Sequence, residues 1–343
     1  MSRLTKNVLC FCFATILYAC QAEDMDNPES PATSSSEIRG KETSVPQEKP
    51  GLDTSLFNRL QMHLVHNKPT NKWPVIAAYP RPGAVIPFNR VVAFYGNFFA
   101  KGMGILGEIP AEQMLTRLQS EVKKWQQSDT VIPAIPALHY IAVTAQRTAG
   151  ADKKYRYRMP ASEIEKTIQL AGKINALVFL DIQIGHSCLS DELPLLEKFL
   201  LLKNVHVGVD PEYSMKDKAI PCSKLGSLDV TDINFAVSYL SELVKKYDLP
   251  PKMLVVHRFT KEMLTHYKDI NLTPEVQVII NMDGFGFPAK KISSYKLAIS
   301  NEPVQFTGFK IFYKYDKQAP SYRLMEPEEI LKLYPSPVYI QYQ

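Results

Sequence analysis

From residue 91 onward, short apolar runs alternate with longer segments whose apolar residues recur every three or four positions. The runs predict strands over Val91–Tyr95, Ile132–His139, Ala176–Asp181, Val205–Asp210, Met253–His257, Val276–Met282, Phe309–Tyr313 and Val338–Tyr342. The periodic segments predict helices over Ala111–Gln127, Ser162–Ile174, Glu192–Leu200, Thr231–Tyr247, Lys261–Tyr267, Lys290–Ile299 and Glu328–Leu333. Asp229 stands where an N-cap of the fourth helix belongs. Strands alternating with helices imply a parallel sheet. Eight such units suggest closure, so the expected fold class is α/β, a (β/α)8 TIM barrel over 91–343. A doubly wound open sheet is the alternative. No internal repeat stands out.

The preceding residues follow other patterns. Asp53 to His66 reads as a short amphipathic helix with Leu56, Leu60 and Leu64 on one stripe. With the proline-rich stretch 67–90 it forms a helix and irregular wrap over 51–90. At the start of the chain, Arg3 and Lys6 precede an apolar core, Val8 to Tyr18. That core is too short for a bilayer of ~30 Å and suits a signal peptide. It ends in Leu17-Tyr18-Ala19-Cys20, which resembles a bacterial lipobox. The resemblance implies a signal peptide over 1–19, cleavage before Cys20 and lipidation of Cys20 by acyl chains such as palmitate. A plain secretory signal cut after Ala19 is the alternative. The expected location is the cell envelope, lipid-anchored in a membrane. Gln21 in place of Asp favours the outer membrane if the cell is Gram-negative. Residues 20–50 are rich in Ser, Thr, Pro and Glu and lack aromatics. Such a stretch cannot bury enough surface to fold, and it reads as a disordered tether.

Composition changes this picture little. The chain is 45% hydrophobic and 22% charged, as globular proteins are. Its net charge of +5 is weak, and Arg3 and Lys6 of the leader contribute two of those charges, so nucleic acid is not an expected partner. Beyond the first twenty residues the only cysteines are Cys188 and Cys222. A disulfide between them is permitted outside the cytoplasm; two isolated thiols are the alternative.

The candidate chemistry lies at the strand ends, where barrel active sites form. Tyr95 ends the first strand and His139 the second, while Asp181 and Gln183 end the third. Asp210 and Glu212 follow the fourth, His257 ends the fifth and Asp283 follows the sixth. Period two places His206, Gly208, Asp210 and Glu212 on one face, and Asn281 with Asp283 on another. Polar groups facing a barrel interior need partners or a task. Carboxylates at strands four and six suit glycoside hydrolysis, with Asp210 and Asp283 as the catalytic pair. Tyr95, His139, Asp181, Gln183, Glu212 and His257 would then contact substrate, an envelope or extracellular glycan.

The arrangement resembles barrel glycosidases with a catalytic Asp at strand four and another at strand six, although neither an Asp-x-x-Asp-x-Asp-x-Glu run nor Asn-Glu-Pro occurs. Met103–Glu108 and Asn281–Gly286 resemble motifs of uncharacterised bacterial lipoproteins with a glycosidase-like TIM barrel. That resemblance covers about 91–343 and implies the fold, with no activity to transfer. No metal or other cofactor is assigned on this first reading. Two alternatives stay open. His139, Asp181, Asp210, Glu212, His257 and Asp283 could instead serve a metal-dependent hydrolase, or the barrel could be a non-catalytic glycan- or ligand-binding lipoprotein.

Two motifs invite other readings. Gly102, Gly104 and Gly107 fit G-x-G-x-x-G but lie too far from the first strand for a dinucleotide site. They are expected to shape a loop that carries Glu108 over the mouth. Lys153–Arg158 interleaves basic and aromatic residues; it could grip an anionic glycan, or it is a solvated loop.

Overall fold

The computed structural model describes residues 51–343. The leader, Cys20 and the tether lie outside the described residues. The barrel strands are β1 (Arg90–Gly96), β2 (Ala134–Ala145), β3 (Leu177–Ile182), β4 (Val205–Val209), β5 (Lys252–Arg258), β6 (Val276–Met282), β7 (Phe306–Ile311) and β8 (Tyr339–Tyr342). All eight run parallel, and β1 pairs with both β2 and β8, which closes the sheet. The fold is the expected (β/α)8 TIM barrel.

Alternation along each strand builds two cores. Val92, Phe94, Val178, Leu180, Val207, Leu254, Val256 and Ile280 face outward and pack against the helices. These include α2 (Ala111–Ser128), α3 (Ala161–Gly172), α4 (Val230–Lys246) and α5 (Pro288–Tyr295). Val91, Ala93, Ala137, Phe179, Met253, Val255 and Ile279 belong to the second core, inside the barrel. Phe57, Leu60 and Leu64 of α1 (Thr54–Leu64) join that inner core and close its floor, with Asp53 capping the helix at Leu56 N–H. Asp229 caps α4 as expected, in a reciprocal box with Asp232. No helix among the described residues is long and apolar enough to cross a membrane.

Several local expectations are corrected. Strand β2 continues beyond His139 to Ala145, and its extension pairs antiparallel with Arg156–Arg158. The first half of the basic run, Lys153–Tyr155, is a loop, while Arg156 and Arg158 of the strand are engaged within the fold rather than forming a free anion grip. Arg156 Nε and Arg158 Nε each lie 2.7 Å from an oxygen of the buried Glu192, which uses their charge within the fold. The helix expected over Glu192–Leu200 is broken into short turns around Pro194. Lys261–Tyr267 forms no α-helix: Leu264–Thr265 is a short strand paired with Leu228–Asp229, and His266 beside it is left-handed. Strand β7 begins at Phe306, ahead of the expected Phe309. Of the two readings left open for Cys188 and Cys222, the structure shows the one without a disulfide.

The glycine motif does shape the first loop. A Cβ on Gly104 would stand 2.1 Å from the Tyr95 carbonyl oxygen, and one on Gly96 would stand 2.2 Å from that of Leu106. Only glycines let this loop fold backbone-to-backbone onto the end of β1. Glu108 emerges from it to pair with Lys314 of the loop after β7.

Candidate active site at the barrel mouth

Register sets the heights of the inward side chains. Tyr95 lies beside His139, Asp181 beside Gly208, and His257 beside Asn281. The lower positions of the same faces are mostly apolar, with Gln277 on β6 and His206 on β4 as exceptions. Toward the C-terminal end of the strands the interior turns polar: Tyr95, His139, Asp181, His257, Asn281, Lys310 and Gln341 are all buried, as are Asp210 and Asp283 just beyond β4 and β6.

These side chains are tightly partnered on their outer sides. Tyr95 OH donates to Asp181 Oδ2 at 2.9 Å and accepts from Gln183 Nε2 at 3.3 Å. Tyr339 OH lies 2.6 Å from His139 Nδ1. Asp283 holds His257 Nδ1 at 3.0 Å with one oxygen and Lys310 Nζ at 2.9 Å with the other. The Lys310 ammonium also sits 3.9 Å above the Tyr95 ring. Asp210 Oδ1 accepts the Glu212 N–H at 3.1 Å.

On the inner side the partnering stops. His139 Nε2 and His257 Nε2 stand 3.2 and 3.4 Å from Asp181 Oδ1. Yet none of these three buried atoms makes an aligned hydrogen bond. All three lie within 4.8 Å of one another, the one such group of His, Cys or acidic residues among the described residues. Gly208 keeps the spot open, since a Cβ there would stand 2.3 Å from His139 Nε2 and 2.4 Å from Asp181 Oδ1. A tetrahedral ion with bonds of roughly 2.0–2.2 Å holds neighbouring ligand atoms about 3.4 Å apart, close to the spacings seen. Metal-bound histidines also tie off the second ring nitrogen to an outer partner. Tyr339 and Asp283 fill that place here. The residues therefore fit one divalent cation with two imidazoles and one carboxylate.

Burial and charge drive the protonation states apart. Burial pulls His139 down to about 4, against the pull of Asp181. Burial also lowers His257, but Asp283 and Asp181 outweigh it and raise the ring to about 10. Burial pushes Asp283 up, but Lys310 and His257 outweigh it and hold the carboxyl below its usual value. Asp210 is carried up to about 7, first by burial and then by repulsion from Asp181 and Asp283, which His257 and Lys310 only partly offset.

Of the residues expected from sequence, Tyr95, His139, Asp181, Asp210, His257 and Asp283 come together. Gln183 stands behind them, bracing Tyr95 and accepting the Ala145 N–H. Glu212 is half-buried in the turn Pro211–Tyr213 and joins the site through its backbone, to Asp210 by its N–H and to Gly226 by its carbonyl. Sequence reasoning missed Lys310, Tyr339 and Gln341. Lys310 alternates with Gly308 and Phe312 along one face, and nothing in that pattern marks the face as inward. No family profile matches this chain, and no curated protein is detectably similar to it.

Proposed function

We propose that this protein is a metal-dependent hydrolase, with one divalent ion held by His139, Asp181 and His257 at the barrel mouth. The reading is carried by the convergence of three buried, hydrogen-bond-free donor atoms on one point. Zinc suits this donor set, and such an ion polarises a substrate carbonyl or lowers the pKa of bound water to about 7. Asp283 and Tyr339 orient the two imidazoles, Lys310 neutralises Asp283, and Asp210 exchanges the proton with attacking water. The purified protein should retain about one equivalent of divalent metal. Chelation should strip the metal and lower the melting temperature, and added Zn²⁺ should restore it. His139→Ala and His257→Ala should lose both responses. No retained metal, with no thermal response to Zn²⁺, Mn²⁺ or Fe²⁺, would reject the reading.

One observation favours a second reading, glycoside hydrolysis by Asp210 and Asp283. Asp283 is paired with two cations, whereas Asp210 has a backbone N–H, so their surroundings suit an ionised base and a neutral acid. Turnover that survives chelator but fails in Asp210→Asn and Asp283→Asn would select it.

The lipobox resemblance at Leu17–Cys20 supports an anchored envelope enzyme. Cys20→Ser should abolish fatty-acid labelling and release the protein from membranes. Unchanged partitioning would reject the anchor.

A further inference from the structure

A neutral imidazole has one N–H and one lone pair, so its inner nitrogen binds a cation only when the hydrogen sits on the outer one. What holds the outer nitrogen decides this, and the two histidines differ there. His257 Nδ1 faces Asp283 Oδ2 at 3.0 Å. Against burial, Lys310 and His257 keep that carboxyl ionised. A carboxylate only accepts, so Nδ1 of His257 keeps its hydrogen. His139 Nδ1 faces a phenol instead, Tyr339 OH at 2.6 Å. Burial raises this phenol well above its ordinary value, so it retains its single hydrogen. Such a hydroxyl can give that hydrogen to the ring or accept the ring's own.

The second partner of the hydroxyl chooses between the two. Gln341, two positions further along β8 on the same inward face, donates from Nε2 to Tyr339 OH at 3.0 Å. With the amide N–H donating, the phenol hydrogen goes to His139 Nδ1. The ring then carries its hydrogen on Nε2, facing Asp181 Oδ1 at 3.2 Å, and offers no lone pair inward. With the amide turned over, Gln341 Oε1 accepts the phenol hydrogen, the phenol accepts Nδ1–H, and Nε2 is left with its lone pair. The acceptor this needs is present: Gln341 Oε1 is buried and has no hydrogen-bond partner.

We propose that Gln341 is a positioning residue for the cation: through the Tyr339 hydroxyl, its amide sets which nitrogen of His139 carries the hydrogen. The proposal rests on the metal reading above. Loading moves the ring hydrogen from Nε2 to Nδ1 by exchange with solvent, turns the phenol O–H toward Gln341 and turns the amide over. Ring, phenol and amide each keep the charge they had, so only the direction of two hydrogen bonds changes. His257 needs no such device, because Asp283 fixes its outer nitrogen in advance.

The relay predicts a loss that a second substitution repairs. In Gln341→Leu the phenol has no acceptor but His139 Nδ1, and it holds the ring with its hydrogen on Nε2. Zn²⁺ affinity, read by competition with a chromophoric chelator, should fall about 10–100-fold. Gln341→Leu/Tyr339→Phe has no hydroxyl to occupy Nδ1 and should bind roughly tenfold more tightly than Gln341→Leu, the worth of one misdirected hydrogen bond. A merely space-filling amide makes the two losses add instead. Multiple-bond ¹H–¹⁵N spectra place the hydrogen directly. It should sit on Nε2 of His139 in metal-free wild type and Gln341→Leu, and on Nδ1 once Zn²⁺ is added to wild type. Equal Zn²⁺ affinity in wild type and Gln341→Leu, a double variant no tighter than Gln341→Leu, or Nδ1–H in either metal-free protein overturns the proposal. The wild-type spectra keep it testable should a variant fail to fold. If wild type binds no metal, the metal reading falls and the ring alone judges the relay. Nε2–H with an Nδ1 resonance that moves in Tyr339→Phe then keeps it, and Nδ1–H removes it.

Discussion

The two halves of the barrel interior are built on the same strands, with the same alternation, and both are buried, yet they are filled by opposite chemistry. In the lower half, Val91, Ala93, Phe179, Met253, Val255 and Ile279 pack against α1, and polar groups are largely satisfied. Gln277 binds the Ile86 backbone through both ends of its amide. His206 accepts the Met253 N–H through Nδ1, and burial holds its pKa well below the ordinary value, although its Nε2 has no hydrogen-bond partner. In the upper half, His139 Nε2, Asp181 Oδ1, His257 Nε2, Asn281 Oδ1 and Gln341 Oε1 have no aligned hydrogen bond. Each buried polar atom left in that state costs about 1–3 kcal/mol. Apolar side chains of similar size would hold the barrel better. The upper half thus gives up stability where a binding or catalytic site needs its groups free, and the floor supplies that stability.

The sharpest way to break this contrast is at the floor. Ile279 is fully buried in the inner core that α1 closes. Ile279→Ala should cost about 2–5 kcal/mol in denaturant unfolding. A loss under about 1 kcal/mol would mean the floor is not the stabilising half. A finer comparison uses one face of β6. Gln277→Leu strands the buried Ile86 N–H and carbonyl and should cost roughly 2–4 kcal/mol. Asn281→Leu, two inward positions higher, removes an amide whose oxygen is already unpartnered and whose nitrogen lies a long 3.3 Å from His257 Nδ1. Its cost should stay under about 1 kcal/mol. Equal losses in the two variants would erase the distinction between the halves.

Much of this arrangement was legible in the sequence, because a closed barrel converts strand order into convergence. Once eight strands alternate with helices, their carboxyl ends must meet, however far apart they lie in the chain. That suffices to bring Asp181, Asp210, His257 and Asp283 together. Height within the barrel was harder to read. The apolar run ends at His139 in the sequence, but β2 continues past it, so the ring sits deeper and faces Asp181 beside Gly208. The convergence of Nε2 and Oδ1 atoms depends on such depths and on rotamers, which spacing does not encode. A strand edge also differs where Thr307 and Gly308 interrupt the apolar run, so β7 begins at Phe306; Lys310 lies within both spans, and a lone lysine in a strand carries no sign that it faces the interior. The Arg156–Glu192–Arg158 pairing joins a hairpin extension to a segment some thirty residues away, and no local pattern signals it.

The smallest expected effect is a difference in pH dependence between floor and mouth. At the floor, burial raises Asp129, but Arg90, at 2.7 Å, outweighs it and lowers the carboxyl below its ordinary value. A carboxyl lowered on folding contributes stability above its unfolded value of about 3.9, and that stability is lost as pH falls through the folded value. At the mouth the sign reverses. Asp210, only 3% exposed, is raised to about 7. Between about pH 4 and 7 the folded protein therefore keeps a proton that the unfolded chain has released, so stability from this group falls as pH rises and levels off above pH 7. The difference between wild type and Asp210→Asn reports this carboxyl together with the groups it interacts with, Asp181, Asp283, His257 and Lys310. With chelator present to exclude bound cation, wild type should lose on the order of 1–3 kcal/mol relative to Asp210→Asn between pH 5 and 7.5. A constant difference across that window would mean that Asp210 titrates as an ordinary carboxyl, and that the mouth is better solvated than its burial implies.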